Sequence, residues 1–222
     1  MTTWALIPVK RFVLAKTRLS GWLSETERAG LAKSMLRDTL TAVSQAQKLD
    51  GVALITSDPE ASAIGTALGA VILEDTTEDL NSALTIGRIA LQQRYASSAC
   101  LVLPSDLPTL MTTDVEHILS TKTDDATVVV VPAHDQEGTN ALLTTKDAEL
   151  PFSFGPDSYR RHMNLAISMG LRPTTLNLPR VAIDFDKPGD LRLINLHAPG
   201  SHTAGLLSSL SHSEAPFFKE VS

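Results

Sequence analysis

Apolar residues along the chain gather into short continuous runs separated by amphipathic stretches. WALIPV at 4–9, GVALITS at 51–57, AVIL at 70–73, CLVLP at 100–104 and ATVVVVP at 126–132 show little polar alternation, as expected of strands buried on both faces. Between them the spacing becomes helical. In 24–47 the apolar positions are Leu31, Met35, Leu36, Leu40 and Val43, behind a Ser24–Glu27 capping box. Further helices are predicted over 59–68, from near Asn81 to about Tyr95, and over 114–121 with Thr112 or Thr113 as cap. Another is expected from Pro156 to about Gly170, with proline at the start and glycine at the stop. NALLTT at 140–145 is expected to pair antiparallel with 126–132 across the loop holding Gly138. TTLNLP at 174–179 and VAIDF at 181–185 read as late strands, and 187–196 as a short helix. Strands alternating with helices predict an α/β fold, a three-layer arrangement around a mixed, mostly parallel sheet.

Composition narrows this picture. At 222 residues and 43% hydrophobic the chain has material for one sizeable core. The domain is expected over 1–197. From about 198 the sequence shifts to Ser, His, Gly and Ala, so 198–222 is expected to be a mobile tail or to dock on a partner subunit of a homodimer. No run approaches the ~18 apolar residues of a membrane span, and the N-terminus lacks the basic region of a signal peptide. The lone Cys100 excludes an intramolecular disulfide. A cytoplasmic protein is the expectation. With 25 acids against 19 bases the net charge is -6, which argues against a general nucleic-acid binder.

In an open α/β sheet, ligands bind beyond the carboxyl ends of the strands, so the residues after each apolar run are the candidates. The first run ends at Pro8 and Val9 and passes into KRFVLAKTR, where Lys10, Arg11, Lys16 and Arg18 place four bases within nine residues and no acid. The loop has no glycine, which excludes a Walker A loop and the dinucleotide fingerprint. Side-chain cations can serve a polyphosphate instead, although a solvated surface loop has the same composition. Ser57 and Asp58 follow the second run, as caps of the next helix or as ribose or base contacts. PSDLP holds Asp106 between Pro104 and Pro108, as a turn former or a metal ligand. Asp184 and Asp186 are two apart, so on an extended segment they point the same way. A hard divalent cation relieves the repulsion between two such carboxylates, and oxygen-only donors favour Mg2+ over zinc. Asp190 reads as a helix-turn residue. Together with Asp106 the pair forms a candidate cradle facing the basic loop, the combination a nucleoside triphosphate needs. Thr139, and Gly155 with Ser158 at a predicted helix N-terminus, look like an anion pocket, with ordinary capping as the alternative. His162 lies four residues after Ser158 on one helical face, as a general base or a structural histidine. Leu80 and Asn81 belong to a helix cap or to a base or substrate contact.

WALIPVKRFVLAKTRL, DLNSAL, LVLPSDLP, GTNALL, FGPDSYRRH and DFDKPGDL occur in this order over residues 4–191. In this set the chain resembles the 2-phospho-L-lactate guanylyltransferase family (CofC/FbiD), which includes phosphoenolpyruvate and 3-phospho-D-glycerate guanylyltransferases. The resemblance implies a nucleotide-diphospho-sugar transferase (GT-A-like) fold. It implies transfer of GMP from GTP to the phosphate of a three-carbon phosphoacid, with release of pyrophosphate, in coenzyme F-420 biosynthesis. It further implies that Thr139, Gly155 and Ser158 bind the phosphoacid and that Asp106, Asp184 and Asp186 hold Mg2+. Lys10, Lys16 and Arg18 would serve the triphosphate and, with Asp106, the catalysis. The nucleotide contacts would then be Pro8, Val9 and those three bases, with Ser57, Asp58, Leu80, Asn81 and Pro104. The chain departs from the family pattern in having AKTRL for AKSRL, which keeps a hydroxyl at Thr17, and PSDLP for PADLP, which keeps the acid. Asp157 stands where a glycine is usual and bears on the identity of the acceptor. A non-catalytic GTP-binding module of the same fold is the competing expectation. A nucleotidyltransferase for a sugar phosphate or molybdopterin is another, against which the glycine-free first loop speaks.

Overall fold

The computed structural model describes residues 2–77, 79–122, 126–183, 185 and 190–211. Its seven described strands are β1 (Thr3–Val9), β2 (Gly51–Thr56), β3 (Val71–Glu74), β4 (Ala99–Val102), β5 (Val128–Pro132), β6 (Thr139–Thr145) and β7 (Thr174–Thr175). They form one sheet in the order β3-β2-β1-β4-β6-β5-β7. β1 pairs parallel with β2 and β4, β2 with β3, and β5 with β7, whereas β6 runs antiparallel to both β4 and β5. The sheet is therefore mixed and mostly parallel, as the alternating pattern predicts. The described helices are α1 (Glu25–Ser44), α2 (Pro59–Ala67), α3 (Leu80–Tyr95), α4 (Thr112–Ser120), α5 (Ser158–Ser168), α6 (Leu191–His197) and α7 (His202–Ser211). No helix among the described residues is long and apolar enough to cross a membrane.

The period of two along β1 explains why its run is uniformly apolar. Ala5, Ile7 and Val9 pack with Leu36, Leu40 and Val43 of α1, Ile64 of α2 and Ile118 of α4. Trp4 and Leu6 pack on the other face with Leu84 and Leu91 of α3 and Ala166 of α5. Both faces are covered, so neither set of alternate positions can be polar. A third cluster, Leu19, Leu31, Met35, Phe185, Ile194, Ala204 and Leu207, joins the loop after β1 to α1, α6 and α7.

Helix boundaries follow local capping chemistry. Ser24 Oγ accepts the Glu27 N–H at 3.3 Å and the Glu27 carboxylate accepts the Ser24 N–H at 2.8 Å, the expected capping box of α1. α3 starts one residue earlier than expected, because Asp79 is its cap and accepts the Ser82 N–H at 2.8 Å. α4 starts at Thr112 with Met111 as cap residue, so neither threonine is the cap. α5 starts at Ser158 behind Asp157, which leaves Pro156 outside it.

The late strands are the main correction. Of 174–179 only Thr174–Thr175 pairs with β5, and Pro179 has no N–H to extend a ladder. No strand runs through the described residues of 181–185: the Val181 and Ala182 N–H groups both turn back to the Leu178 carbonyl, at 3.0 and 2.9 Å. Val181, Ile183 and Phe185 are buried, and the segment is tied in by single bonds, with the Ala182 carbonyl accepting the His134 N–H at 3.0 Å and the Val181 carbonyl accepting from the Asn140 amide at 2.9 Å. Part of the expected tail is α7, seated on α1 of the same chain. Asp38 of α1 accepts the His202 and Thr203 N–H groups at 2.7 and 2.9 Å, and Ala204 and Leu207 are buried beneath. Residues 212–222 lie outside the described set.

Candidate functional site

β1 ends at Val9 and delivers the basic loop to the edge of the sheet. Two 3₁₀ turns, Phe12–Leu14 and Thr17–Leu19, shape the loop, and between them Lys16 takes a left-handed backbone with φ 50. A non-glycine residue holds such a conformation only where its surroundings fix it. Asp58 Oδ2 accepts the Phe12 N–H at 2.9 Å, Phe12 itself is buried, and Arg28 Nη1 donates to the Ala15 carbonyl at 3.0 Å. The result is that Lys16 Nζ lies 2.7 Å from Asp106 Oδ2, with 5% of the lysine side chain exposed and 34% of the aspartate's. Asp106 is held from below by Thr39 of α1, whose hydroxyl accepts the Leu107 N–H at 3.1 Å and donates to the Ser105 carbonyl. Burial acts against the charge on Asp106, but the Lys16 ammonium, its hydrogen bond and the residue's own N–H outweigh it and hold the carboxyl below its usual value. An ionised carboxylate results, ready to act as a ligand.

This pair lines one of two cavities that share a wall. One, of about 310 Å³, is lined by Pro8, Val9, Lys10, Lys16, Leu80, Pro104 and Asp106. The other, of about 520 Å³, shares Pro8, Val9, Lys10 and Leu80 and extends to Ser57, Asp75, Thr77 and Asp79. Both lie beyond the carboxyl end of β1, the smaller also beyond β4 and the larger beyond β2 and β3, where the sheet topology places ligands. Most of the expected nucleotide set is thus brought together. Asp58 is not free for a ligand: besides Phe12 it accepts the Glu60 and Ala61 N–H groups at 2.9 and 3.1 Å, the capping alternative. Arg18 sits on the Thr17–Leu19 turn and lines neither cavity. The Cys100 thiol is pushed up to about 12 by burial and has no nucleophilic role.

Thr139, Gly155 and Ser158 of the expected anion pocket line neither cavity. Gly155 has φ +119, which only glycine adopts without strain. Ser158 opens α5 and is buried. His162, fully buried, has Nδ1 3.0 Å from Thr139 Oγ1, while its Nε2 accepts the Ser153 N–H at 3.1 Å. That backbone donor fixes the tautomer: Nε2 carries no proton, so Nδ1–H donates to Thr139. The Thr139 hydroxyl is left with a hydrogen to donate and no other partner among the described residues, which suits an anion. Burial, aided by the nearby Arg161 charge, pushes the imidazole down to about 4, so it is neutral near pH 7. Asn81 is not the cap of α3, which is Asp79. Its amide donates to the Phe154 carbonyl at 3.1 Å and accepts the Phe154 N–H at 2.7 Å, tying the start of α3 to the anion loop. This clamp and the His162–Thr139 bond join residues far apart in the chain; the asparagine and the histidine are visible in the sequence, their partners are not. Asp157 takes φ 57 and its carboxylate lies 3.8 Å from Arg160 Nε, an exposed pair of little energetic weight.

The metal cradle is described only in part. Asp184 and Asp186 lie outside the described residues, and among those described no three ligating side chains converge. Phe185, between them in sequence, is buried beside Leu19.

Residues 3–218 match the family of guanylyl transferases described as CofC like. The chain belongs to this family. A phosphoenolpyruvate guanylyltransferase of Conexibacter woesei is 37% identical over 216 residues, 95% of this chain and 97% of the relative. A 2-phospho-L-lactate guanylyltransferase of Methanothermobacter thermautotrophicus is 35% identical over 217 residues, 97% of this chain and 94% of the relative. Among solved structures, a protein from Desulfovibrio desulfuricans assigned to the nucleotide-diphospho-sugar transferases superposes with a TM-score of 0.78 at 18% identity, over 99% and 98% of the two chains. A cytidylyltransferase from Leptospira borgpetersenii gives 0.60 at 12% identity, over 96% and 94%. At these identities the structural likeness is one of fold, and it is the expected one. Family membership makes the CofC-like chain a nucleotidyltransferase, and the expectation of a non-catalytic module falls.

Proposed function

We propose that the protein transfers GMP from GTP to the phosphate of a three-carbon phosphoacid (phosphoenolpyruvate, 2-phospho-L-lactate or 3-phospho-D-glycerate), releases pyrophosphate, and serves coenzyme F-420 biosynthesis. The observation that carries this reading is the pair of adjoining cavities lined by Lys10 at the carboxyl edge of the sheet, with the Lys16–Asp106 pair in the wall of one. The names of the relatives, one acting on phosphoenolpyruvate and one on 2-phospho-L-lactate, support the substrate class.

An oxygen of the acceptor phosphate attacks the α-phosphorus of GTP. A new P–O bond forms, the bond to the bridging oxygen of the β-phosphate breaks, and the electron pair leaves on pyrophosphate. A phosphate monoester has its second pKa near ~6, so the nucleophile is mostly dianionic at pH 7 and needs no general base. That agrees with a histidine buried as a neutral structural group. Catalysis is then positioning and charge neutralisation. Lys10, Lys16 and Arg18 bind the triphosphate and stabilise the departing pyrophosphate. Thr139, Gly155 and Ser158 hold the acceptor, the Thr139 hydroxyl as a donor oriented by His162. Asp106, Asp184 and Asp186 would hold Mg2+, whose charge would offset that of the reacting phosphates; an all-oxygen donor set suits it.

Pyrophosphate release is to be measured with GTP, ATP, CTP and UTP, each paired with the three phosphoacids and with sugar phosphates. Release with GTP and one or more phosphoacids is expected. Turnover confined to sugar phosphates, or to another nucleotide, refutes the reading.

A further inference from the structure

The larger cavity has two carboxylates, Asp75 and Asp79, in its lining, which is unusual in a site for a polyanion. Its shared wall, Pro8, Val9, Lys10 and Leu80, is common to the cavity that holds Lys16 and Asp106. Lys10 belongs to the shared wall and Lys16 to the smaller cavity, while Arg11 lines the larger one. Ser57, Asp75, Thr77 and Asp79 line the larger cavity and not the smaller. At about 520 Å³ the cavity falls in the usual range of roughly 300–1,000 Å³ for small-ligand pockets. A nucleotide whose triphosphate lies by Lys16 in the smaller cavity can place its base among the residues that line only the larger one.

Asp75 is the better placed of the two acids. It follows β3 directly and is half-buried, and its N–H is bonded to the Thr56 carbonyl of β2 at 3.1 Å. Its Oδ1 accepts the Thr77 N–H at 2.8 Å and lies 2.9 Å from the Thr77 hydroxyl. These bonds fix the carboxylate plane and leave Oδ2 with no partner among the described residues. Asp79 is exposed and already caps α3.

A fixed carboxylate oxygen discriminates among bases by repulsion as well as attraction. Guanine presents two adjacent donors, N1–H and the N2 amino group. Adenine and cytosine set a ring-nitrogen lone pair beside their one amino donor, and uracil flanks its N3–H with two carbonyl oxygens. Only guanine meets the carboxylate without a lone pair turned toward it.

We infer that Asp75 is the residue that reads the base, its Oδ2 accepting from the N1–H and N2–H edge of guanine; this rests on the proposed use of GTP. Asp75→Asn is the informative substitution, because the amide oxygen retains both Thr77 bonds and the amide nitrogen replaces Oδ2. One acceptor becomes a donor at constant shape. Xanthine, with a carbonyl in place of the guanine amino group, is the complementary base.

The experiment compares kcat/KM for GTP, ITP, XTP and ATP in the wild-type chain, Asp75→Asn and Asp79→Asn, by pyrophosphate release, with equilibrium binding of GTP and XTP as a second readout. Loss of one charge-assisted hydrogen bond lowers Asp75→Asn activity with GTP by roughly 10- to 150-fold, while XTP improves and the GTP-to-XTP preference reverses. ITP, which lacks the amino group, is a weaker substrate than GTP for the wild type. An equal fall with GTP, ITP and XTP in Asp75→Asn marks a ribose or structural contact and overturns the inference. So does reversal of the preference by Asp79→Asn instead. A wild-type chain that neither binds nor turns over GTP overturns the functional reading and this assignment with it, whereas an unchanged base preference in a GTP-using enzyme overturns the assignment alone.

Discussion

Lys16 illustrates how much of the site rests on single side chains. Its left-handed backbone and its 2.7 Å contact with Asp106 are held by a loop pinned at Phe12 and Ala15. Lys16→Met keeps the stem and removes the charge. On the proposed chemistry it lowers kcat/KM for GTP by about 10²- to 10³-fold, the effect of losing one transition-state charge contact; GTP kinetics equal to wild type would remove Lys16 from the site. His162 gives a prediction on stability. Its folded-state value of about 4 lies below the ordinary 6.5, so between these pH values the unfolded chain takes up a proton that the folded chain refuses. The stability is fully present above about pH 6.5, falls as the pH drops toward about 4, and changes no further from this group below that, for a total of about 3 kcal/mol. Urea-unfolding midpoints from pH 7.5 to 4 should show the decline, and His162→Asn should flatten it; the same slope in both proteins contradicts the assignment. Lys16 and Asp106 are legible in the sequence because a base-rich loop without glycine and an acid between two prolines are unusual. Asp75 and the Thr139–His162 bond are not legible, because a free carboxylate oxygen and a tautomer are set by neighbours that only the fold supplies.

At the scale of elements, α3 is the connector. Its cap is Asp79, its first residue Leu80 lines both cavities, and its Asn81 grips the Phe154 backbone in the anion loop. Asn81→Ala removes two hydrogen bonds to that backbone, a stability cost on the order of 1–3 kcal/mol. With the loop released, KM for the phosphoacid should rise more than KM for GTP in steady-state assays; the opposite order would place Asn81 on the nucleotide instead. The central strands and long helices are readable from apolar periodicity because burial on both faces leaves no room for polar alternation. The segment 181–185 is misread for a related reason. Val181, Ile183 and Phe185 alternate like a strand, but they are buried by side-chain packing after Pro179 has ended the ladder. Periodicity reports burial, and burial does not require a strand ladder. The same limit hides α7, whose packing on α1 depends on Asp38 receiving the N–H groups of His202 and Thr203.

For the molecule as a whole, the sheet order brings the carboxyl ends of β1, β2, β3 and β4 side by side. The reversed β6 begins at Thr139, a residue proposed to hold the acceptor. On the proposed reading one fold presents a nucleotide site and an acceptor site, and the net charge of -6 coexists with a local cation cluster in the loop after β1. That division of labour is the centre of the account, and the identity of the product tests it most directly. The protein is to be incubated with GTP, Mg2+ and each of phosphoenolpyruvate, 2-phospho-L-lactate and 3-phospho-D-glycerate, and the products followed by phosphorus NMR and mass. The account predicts pyrophosphate together with a new P–O–P linkage joining GMP to at least one of the acids. Hydrolysis of GTP without that linkage, or GMP transfer to a sugar phosphate in place of all three acids, would contradict it.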